Sequence, residues 1–302
     1  MSARQTPHAR PRTALLAVAT LASALVVAGL LPGWAAAGPA RPTALAALTA
    51  VNTLPPTPDT AWGIDPATGQ LVVTVAKAAP VVGAARLAAL ADRFGGAMRI
   101  VHSQRSFTEQ GLADPLGRHD TSGLLLGGDE ISDGKIICSA GFNVVRHGQP
   151  YLLTAGHCTA GLPGWQNIGP SVVSEFPSSD YGLIRDDSAD ARGDVDLYDG
   201  TVQPITEVGT AAVGERVCAS GQTTEVTCGE VTAVDQTVDY GNGDVVHGLI
   251  KTSVHTDHGD SGGSLFDRST GLGMVSGGDG DIDYFQPLAP ALARYDLELA
   301  IP

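Results

Sequence analysis

The chain of 302 residues is 43% hydrophobic and only 5% aromatic, with 38 Gly and 19 Pro. That supplies enough apolar material for a core, and turn-forming residues at this frequency favour many short strands over long helices. A net charge of −14 excludes a nucleic-acid binder, whose surface must be basic.

The charge is unevenly spread. Residues 1–126 carry 10 Lys and Arg against 6 Asp and Glu, whereas residues 127–302 carry 8 against 26. A basic leader on an acidic body assists a complex between the two, although solubility alone accounts for an acidic surface.

Arg4, Arg10 and Arg12 precede an apolar run from Ala14 to Leu31, and Ala35-Ala36-Ala37 forms a small-residue processing site. The pattern predicts a signal peptide over residues 1–37, cut before Gly38. A membrane anchor is the alternative reading of a run of this length. No later stretch is apolar enough to span a bilayer, so no membrane contact is expected after cleavage.

Residues 38–60, rich in Ala, Pro and Thr, read as a linker with little structure. A small α/β module follows over 61–108. Leu71–Val75 is a strand, Val81–Phe94 has helical spacing stopped by Gly95-Gly96, and Met98–His102 is a second strand. The module holds no catalytic constellation. Residues 109–124 are polar and turn-rich, a second linker and an expected proteolytic site.

From Leu125 the pattern becomes short β-type runs between turns. Gly141–Arg146 and Gln149–Ala155 form a hairpin about His147-Gly148. Ser171–Phe176, Tyr181–Arg185, Arg216–Ala219, Glu225–Val234, Thr237–Tyr240 and Val245–Thr252 are further strands, the last two joined by a Gly241-Asn242-Gly243-Asp244 turn. Gly263–Phe266, Leu272–Ser276 and Tyr284–Gln286 complete the set, and only Leu288–Tyr295 reads as a helix. So many short antiparallel strands predict a barrel or sandwich pair. The four cysteines admit three pairings; export makes disulfides plausible, and the two local loops Cys138–Cys158 and Cys218–Cys228 are the expected set. No Cys-x-x-Cys spacing supports a metal site.

One stretch carries the chemistry. In Gly259-Asp260-Ser261-Gly262-Gly263 a serine stands on a glycine turn, where the N–H groups of Gly259 and Ser261 can face a substrate carbonyl. A glycine-rich hairpin would look the same, so the serine needs a base and the base an orienting group. Among 8 histidines, His157 follows a strand in a small-residue turn beside Cys158. His255 and His258 are too near Ser261 on the same loop to take its proton from the side. Asp180 opens the apolar strand Tyr181–Ile184, and a buried carboxylate there needs a partner.

Thr154-Ala155-Gly156-His157-Cys158, Asp180-Tyr181-Gly182-Leu183-Ile184-Arg185 and Gly259–Leu265 resemble the three signatures of the chymotrypsin-fold serine peptidases. Cys138–Val144, Gly127-Gly128-Asp129, Ser276-Gly277-Gly278 and Phe285-Gln286-Pro287 resemble the secreted bacterial branch, the streptogrisins and α-lytic protease. The resemblance covers about residues 125–296. It implies an all-β fold of two antiparallel six-stranded β-barrels with a C-terminal helix, over residues 125–302. A linker and small α/β pro-region, 38–124, would precede it. It implies peptide-bond hydrolysis with His157, Asp180 and Ser261 as the triad, Gly259 and Ser261 as the oxyanion hole, and Ser276, Gly277 and Gly278 as backbone partners of the substrate. It implies no metal and no cofactor. The partners would be a peptide or protein substrate and the chain's own pro-region, which assists folding and inhibits until cleaved near Leu124 to Leu126. A secreted monomer is expected. A catalytically silent binding protein on the same scaffold is the competing reading. A lipase is disfavoured, because Ser261 lacks a Gly-x-Ser-x-Gly elbow.

Three positions depart from that family. His255 stands where it carries a cysteine, and the loop Asp279–Asp283 lacks the second. Ala219 stands where it supplies an arginine to Asp260, leaving that carboxylate in need of another partner, for which His258 is a candidate. Val275 and Ser253 suggest an uncharged pocket and cleavage after apolar residues, whereas Asp279, Asp281 or Asp283 would favour basic residues if one pointed inward.

Overall fold

The computed structural model describes residues 42–109, 124–188 and 192–301. The expected signal peptide 1–37 and residues 110–123 of the second expected linker lie outside the described residues. In the N-terminal segment the elements are α1 (Ala44–Asn52), β1 (Thr60–Ile64), β2 (Leu71–Ala76), α2 (Val81–Phe94), β3 (Met98–Ser103) and β4 (Thr108–Glu109). Helix α1 corrects the reading of 38–60 as unstructured. Its Ala and Leu are strong helix formers, and Thr43 Oγ1 caps it by accepting from Ala46 N–H at 3.2 Å. Ala47 and Val51 of α1 then bury against Trp62, Leu71, Val73, Leu87 and Met98, so tertiary contact holds a helix too short to persist alone. Helix α2 has the expected bounds and stops at Gly95, whose φ of +53 a glycine adopts most easily.

The remaining elements are β5 (Glu130–Ser132), β6 (Ile137–Ser139), β7 (Phe142–Arg146), β8 (Gln149–Thr154), β9 (Gly164–Trp165), β10 (Gly169–Glu175), β11 (Tyr181–Arg185), β12 (Asp194–Asp196), β13 (Val202–Pro204) and β14 (Glu207–Val208). They continue with β15 (Arg216–Gly221), β16 (Glu225–Asp239), β17 (Val245–Thr252), β18 (Ser264–Asp267), β19 (Thr270–Gly278), β20 (Asp283–Pro287), α3 (Leu288–Tyr295) and β21 (Glu298–Leu299). The chain is thus mostly β-sheet with few helices. Strand β16 merges two expected strands. Register shifts between Val231 and Val238 bend it without ending it, as bulges do.

One sheet runs β21-β7-β8-β11-β10-β9. A second runs β15-β18-β19-β20-β17-β16, and β15 pairs with β16 as well as with β18. The N-terminal strands extend that second sheet: Thr60–Trp62 of β1 pair antiparallel with Asp239–Thr237 of β16, and β2 and β3 follow. Phe142, Val144, Leu153 and Leu183 from the first sheet share a core with Phe266 and Met274 from the second and with Leu288 and Leu292 of α3. Burying each such side chain contributes about 1.5–3 kcal/mol. Disulfides join Cys138 to Cys158 and Cys218 to Cys228.

Candidate active site

His157 sits in the turn after β8. That turn is tight, because a Cβ on Gly156 would meet Glu175 O at 2.5 Å. Asp180 stands at the mouth of β11, fully buried. Its Oδ1 accepts the His157 backbone N–H at 2.9 Å, and the ring Nδ1 lies 3.0 and 2.9 Å from its two oxygens. Two carboxylate oxygens on Nδ1 assign the proton to that nitrogen, which leaves Nε2 as an acceptor. Nε2 lies 2.7 Å from Ser261 Oγ. Three residues far apart in sequence therefore form one hydrogen-bonded line. Burial of the imidazole works against its charged form, but Asp180, and then Glu109 and Asp244, raise its pKa above the usual histidine value.

Asp180 is itself held from behind. Its N–H donates to Gln286 Oε1 at 2.8 Å, and Ser276 Oγ donates to its Oδ2 at 2.6 Å. The Tyr240 hydroxyl lies 3.1 Å from Ser276 Oγ and is buried among the same groups. Ser139 on β6 ties the histidine turn to the serine loop. Its N–H donates to Ser261 O at 2.8 Å, its carbonyl accepts Thr154 Oγ1 at 2.9 Å, and its Oγ donates to Gly259 O at 2.9 Å. Sequence reasoning missed Gln286, Tyr240 and Ser139. Gln286 and Ser139 carried a signal, each lying inside a motif of the resemblance, Phe285-Gln286-Pro287 and Cys138–Val144.

The loop before Ser261 needs its glycines, with φ of +103 at Gly259 and +86 at Gly262. The N–H groups of Asp260, Gly262 and Gly263 donate to Asp257, Val275 and Asp260 carbonyls. Among the described residues, none accepts a backbone hydrogen bond from Gly259 or Ser261 N–H. Asp260 is buried, and its partners are Asp257 N–H at 2.9 Å, Thr223 N–H at 2.8 Å, Thr224 N–H at 3.1 Å and Thr224 Oγ1 at 2.8 Å. His258 is not among them; it is exposed, and its carbonyl accepts Thr223 Oγ1 at 2.7 Å. Backbone amides thus replace the arginine absent at Ala219. Burial still outweighs these bonds and raises the Asp260 pKa.

Ser276-Gly277-Gly278 close the site on the far side. Gly277 and Gly278 pair antiparallel with Glu109 and Thr108 of β4. A Cβ on Gly277 would collide with Thr108 O and meet Tyr240 Cε1 at 2.9 Å, so only glycine lets a strand approach this closely. Burial raises the Glu109 pKa, and the neighbouring His157 partly offsets this.

The pocket region departs from a cystine-bound wall. His255 Nδ1 donates to Gly280 O at 2.7 Å, a hydrogen bond where a crosslink was missing. Asp283 is fully buried with Oδ2 accepting Thr256 N–H at 2.6 Å. Asp279 instead faces the N-terminal segment, accepting Ser103 Oγ at 2.8 Å, and Asp281 is exposed opposite Arg105. Ser253 is exposed with Oγ accepting Glu230 N–H at 3.1 Å. Cys138, His157 and Cys158 bring three potential metal donors within 4.8 Å, but both sulfurs are consumed by the disulfide.

No family model matches the chain. Streptogrisin-D of Streptomyces griseus is 42% identical over 254 residues, 80% of this chain and 61% of that protein. Streptogrisin-A of the same organism is 40% identical over 242 residues, covering 78% of this chain and 76% of that protein. The chain belongs to the streptogrisin-type serine peptidases of the chymotrypsin fold. Among solved structures, a protein titled as a glutamic acid specific serine protease that uses a histidine triad in substrate binding is 40% identical. It superposes with a TM-score of 0.55 over 58% of this chain and 99% of its own. That share of this streptogrisin-type chain matches the extent of the resemblance read from 125–296.

Proposed function

We propose that the protein is a secreted serine endopeptidase made as a pro-protein. The observation that carries the reading is the hydrogen-bonded line Asp180–His157–Ser261. Ser261 Oγ attacks the peptide carbonyl while His157 Nε2 takes its proton. The imidazolium gives that proton to the leaving amine, and an ester remains on Ser261. Water, deprotonated by the same imidazole, hydrolyses the ester and restores the serine. Asp180 keeps Nδ1–H turned toward itself and stabilises the imidazolium. Gly259 and Ser261 N–H groups hold the oxyanion, and losing one such donor costs about 10²–10³ in turnover. Ser276, Gly277 and Gly278 bind the substrate as an added antiparallel strand; β4 on the same residues supports this.

With this reading go two six-stranded β-barrels over residues 125–302 with the cleft between them. The double pairing of β15 supports the second barrel. Residues 38–124 are the pro-region, removed near Leu124 to Leu126 from a monomeric, extracellular enzyme after signal cleavage at 37. No described helix is long and apolar enough to cross a membrane. The expectation of apolar cleavage sites keeps Val275 but loses Ser253. A fluorophosphonate probe tests the function against a catalytically silent binding protein. The secreted protein should label and Ser261→Ala should not; an unlabelled wild type would favour the binding protein.

A further inference from the structure

We propose that Asp283 makes the pocket beside Ser261 a receptor for a cationic side chain, so that the enzyme cleaves after lysine or arginine. The proposal rests on the peptidase reading and names its substrate class. Gly278 of β19 lies between Thr108 on one side and Asp283 of β20 on the other. A Cβ on Gly278 would collide with Asp283 Oδ1. The carboxylate therefore covers the bare face of a residue that a bound peptide strand pairs with. Its other oxygen accepts Thr256 N–H at 2.6 Å, and Thr256 belongs to the loop that leads into Ser261. Asp283 thus bridges the two walls that flank the serine.

The direction of the peptide follows from β4. Glu109 lies near enough to His157 for their charges to interact. Side chains of an extended strand alternate, so the next residue of a peptide in this register turns to the opposite face, toward the β19 wall and the Thr256 loop. There it meets a carboxylate. A buried carboxylate favours a cation or a strong donor beside it. The nearby imidazole of His255 is exposed and has committed Nδ1 to Gly280 O. An ammonium or guanidinium adds a full countercharge. An apolar side chain would further desolvate the carboxylate without compensating it, and a glutamate would bring a like charge against it.

The test compares peptide p-nitroanilides identical except for Lys, Arg, Phe or Glu before the scissile bond. The full chain is used as secreted, with rates expressed per fluorophosphonate-labelled serine. Lys and Arg should exceed Phe by about tenfold or more in kcat/KM, and Glu should be poorest. In Asp283→Asn the advantage of Lys over Phe should shrink by about tenfold, read as the ratio of the two kcat/KM values on the same labelled protein. Benzamidine should inhibit the wild type competitively, an independent readout if the variant folds poorly. Labelled wild type that prefers Phe or Glu, or resists benzamidine, overturns the cationic pocket and leaves the peptidase standing. Protein that takes no label overturns both.

Discussion

At the scale of single residues, the triad makes its own pH dependence. His157 must be neutral to accept the serine proton. Asp180 raises its pKa against the effect of burial, so the acidic limb of kcat/KM should lie above the usual histidine value of about 6.5. Asp180→Asn removes the charge that favours the imidazolium and frees the wrong tautomer. The limb should move to lower pH and kcat should fall by about 10⁴. Steady-state rates across the pH range check both, and an unmoved limb would mean that Asp180 does not set the imidazole. Tyr240 acts one step back. It touches Ser276 and not the reacting atoms, so Tyr240→Phe should lower kcat modestly with KM unchanged.

At the scale of elements, the loop that carries the serine is held by bonds to one carboxylate. Thr224→Val deletes the Oγ1 bond to Asp260 and should cost about 1–3 kcal/mol, because the carboxylate stays buried. Urea unfolding measures it; a loss under about 0.5 kcal/mol would show that the backbone amides suffice. Asp283 predicts the pH profile of the same experiment. Burial raises its pKa from 3.8 to about 7, with His255 lowering it and Asp279 raising it. The folded state therefore keeps a proton that the unfolded state releases, so this contribution is full below 3.8 and lost as pH rises through about 7. Asp283→Asn should flatten that decline. Most strands and helices α2 and α3 were legible, since Val81–Phe94 and Leu288–Tyr295 carry their own periodicity and stops. Helix α1 was not, because its Ala-rich run looks the same in a loose linker and a docked helix, and only burial of Ala47 and Val51 distinguishes them.

At the scale of the whole molecule, the N-terminal segment is fused to the second sheet at β16 and reaches across to β19. The pairing on Gly277 and Gly278 occupies the edge proposed above for the substrate strand. Thr108→Pro removes a backbone donor from that pairing. It should speed fluorophosphonate labelling of the unprocessed chain, and an unchanged labelling rate would mean that β4 does not block the site. The identity of the serine, histidine and aspartate was readable because each sits in a short local motif that its own turn or strand requires. The order His157, Asp180, Ser261 then joined them. Contacts across long sequence separations were not readable in the same way. The amides of Thr223 and Thr224 on Asp260, Ser139 between histidine and serine, and the strand laid on Gly277 depend on which backbone a fold brings near.

By itself the sequence determined the local motifs around His157, Asp180 and Ser261 and the predominance of short strands, because local spacing and turn chemistry specify those; the structure selected Cys138–Cys158 and Cys218–Cys228 from the three possible pairings. Only the tertiary structure decided which of three neighbouring carboxylates is fully buried against Gly278. Asp279, Asp281 and Asp283 lie within five residues, and no local pattern separates them. The antiparallel register of β19 with β20 does, by setting Asp283 against a glycine and leaving Asp281 in solvent.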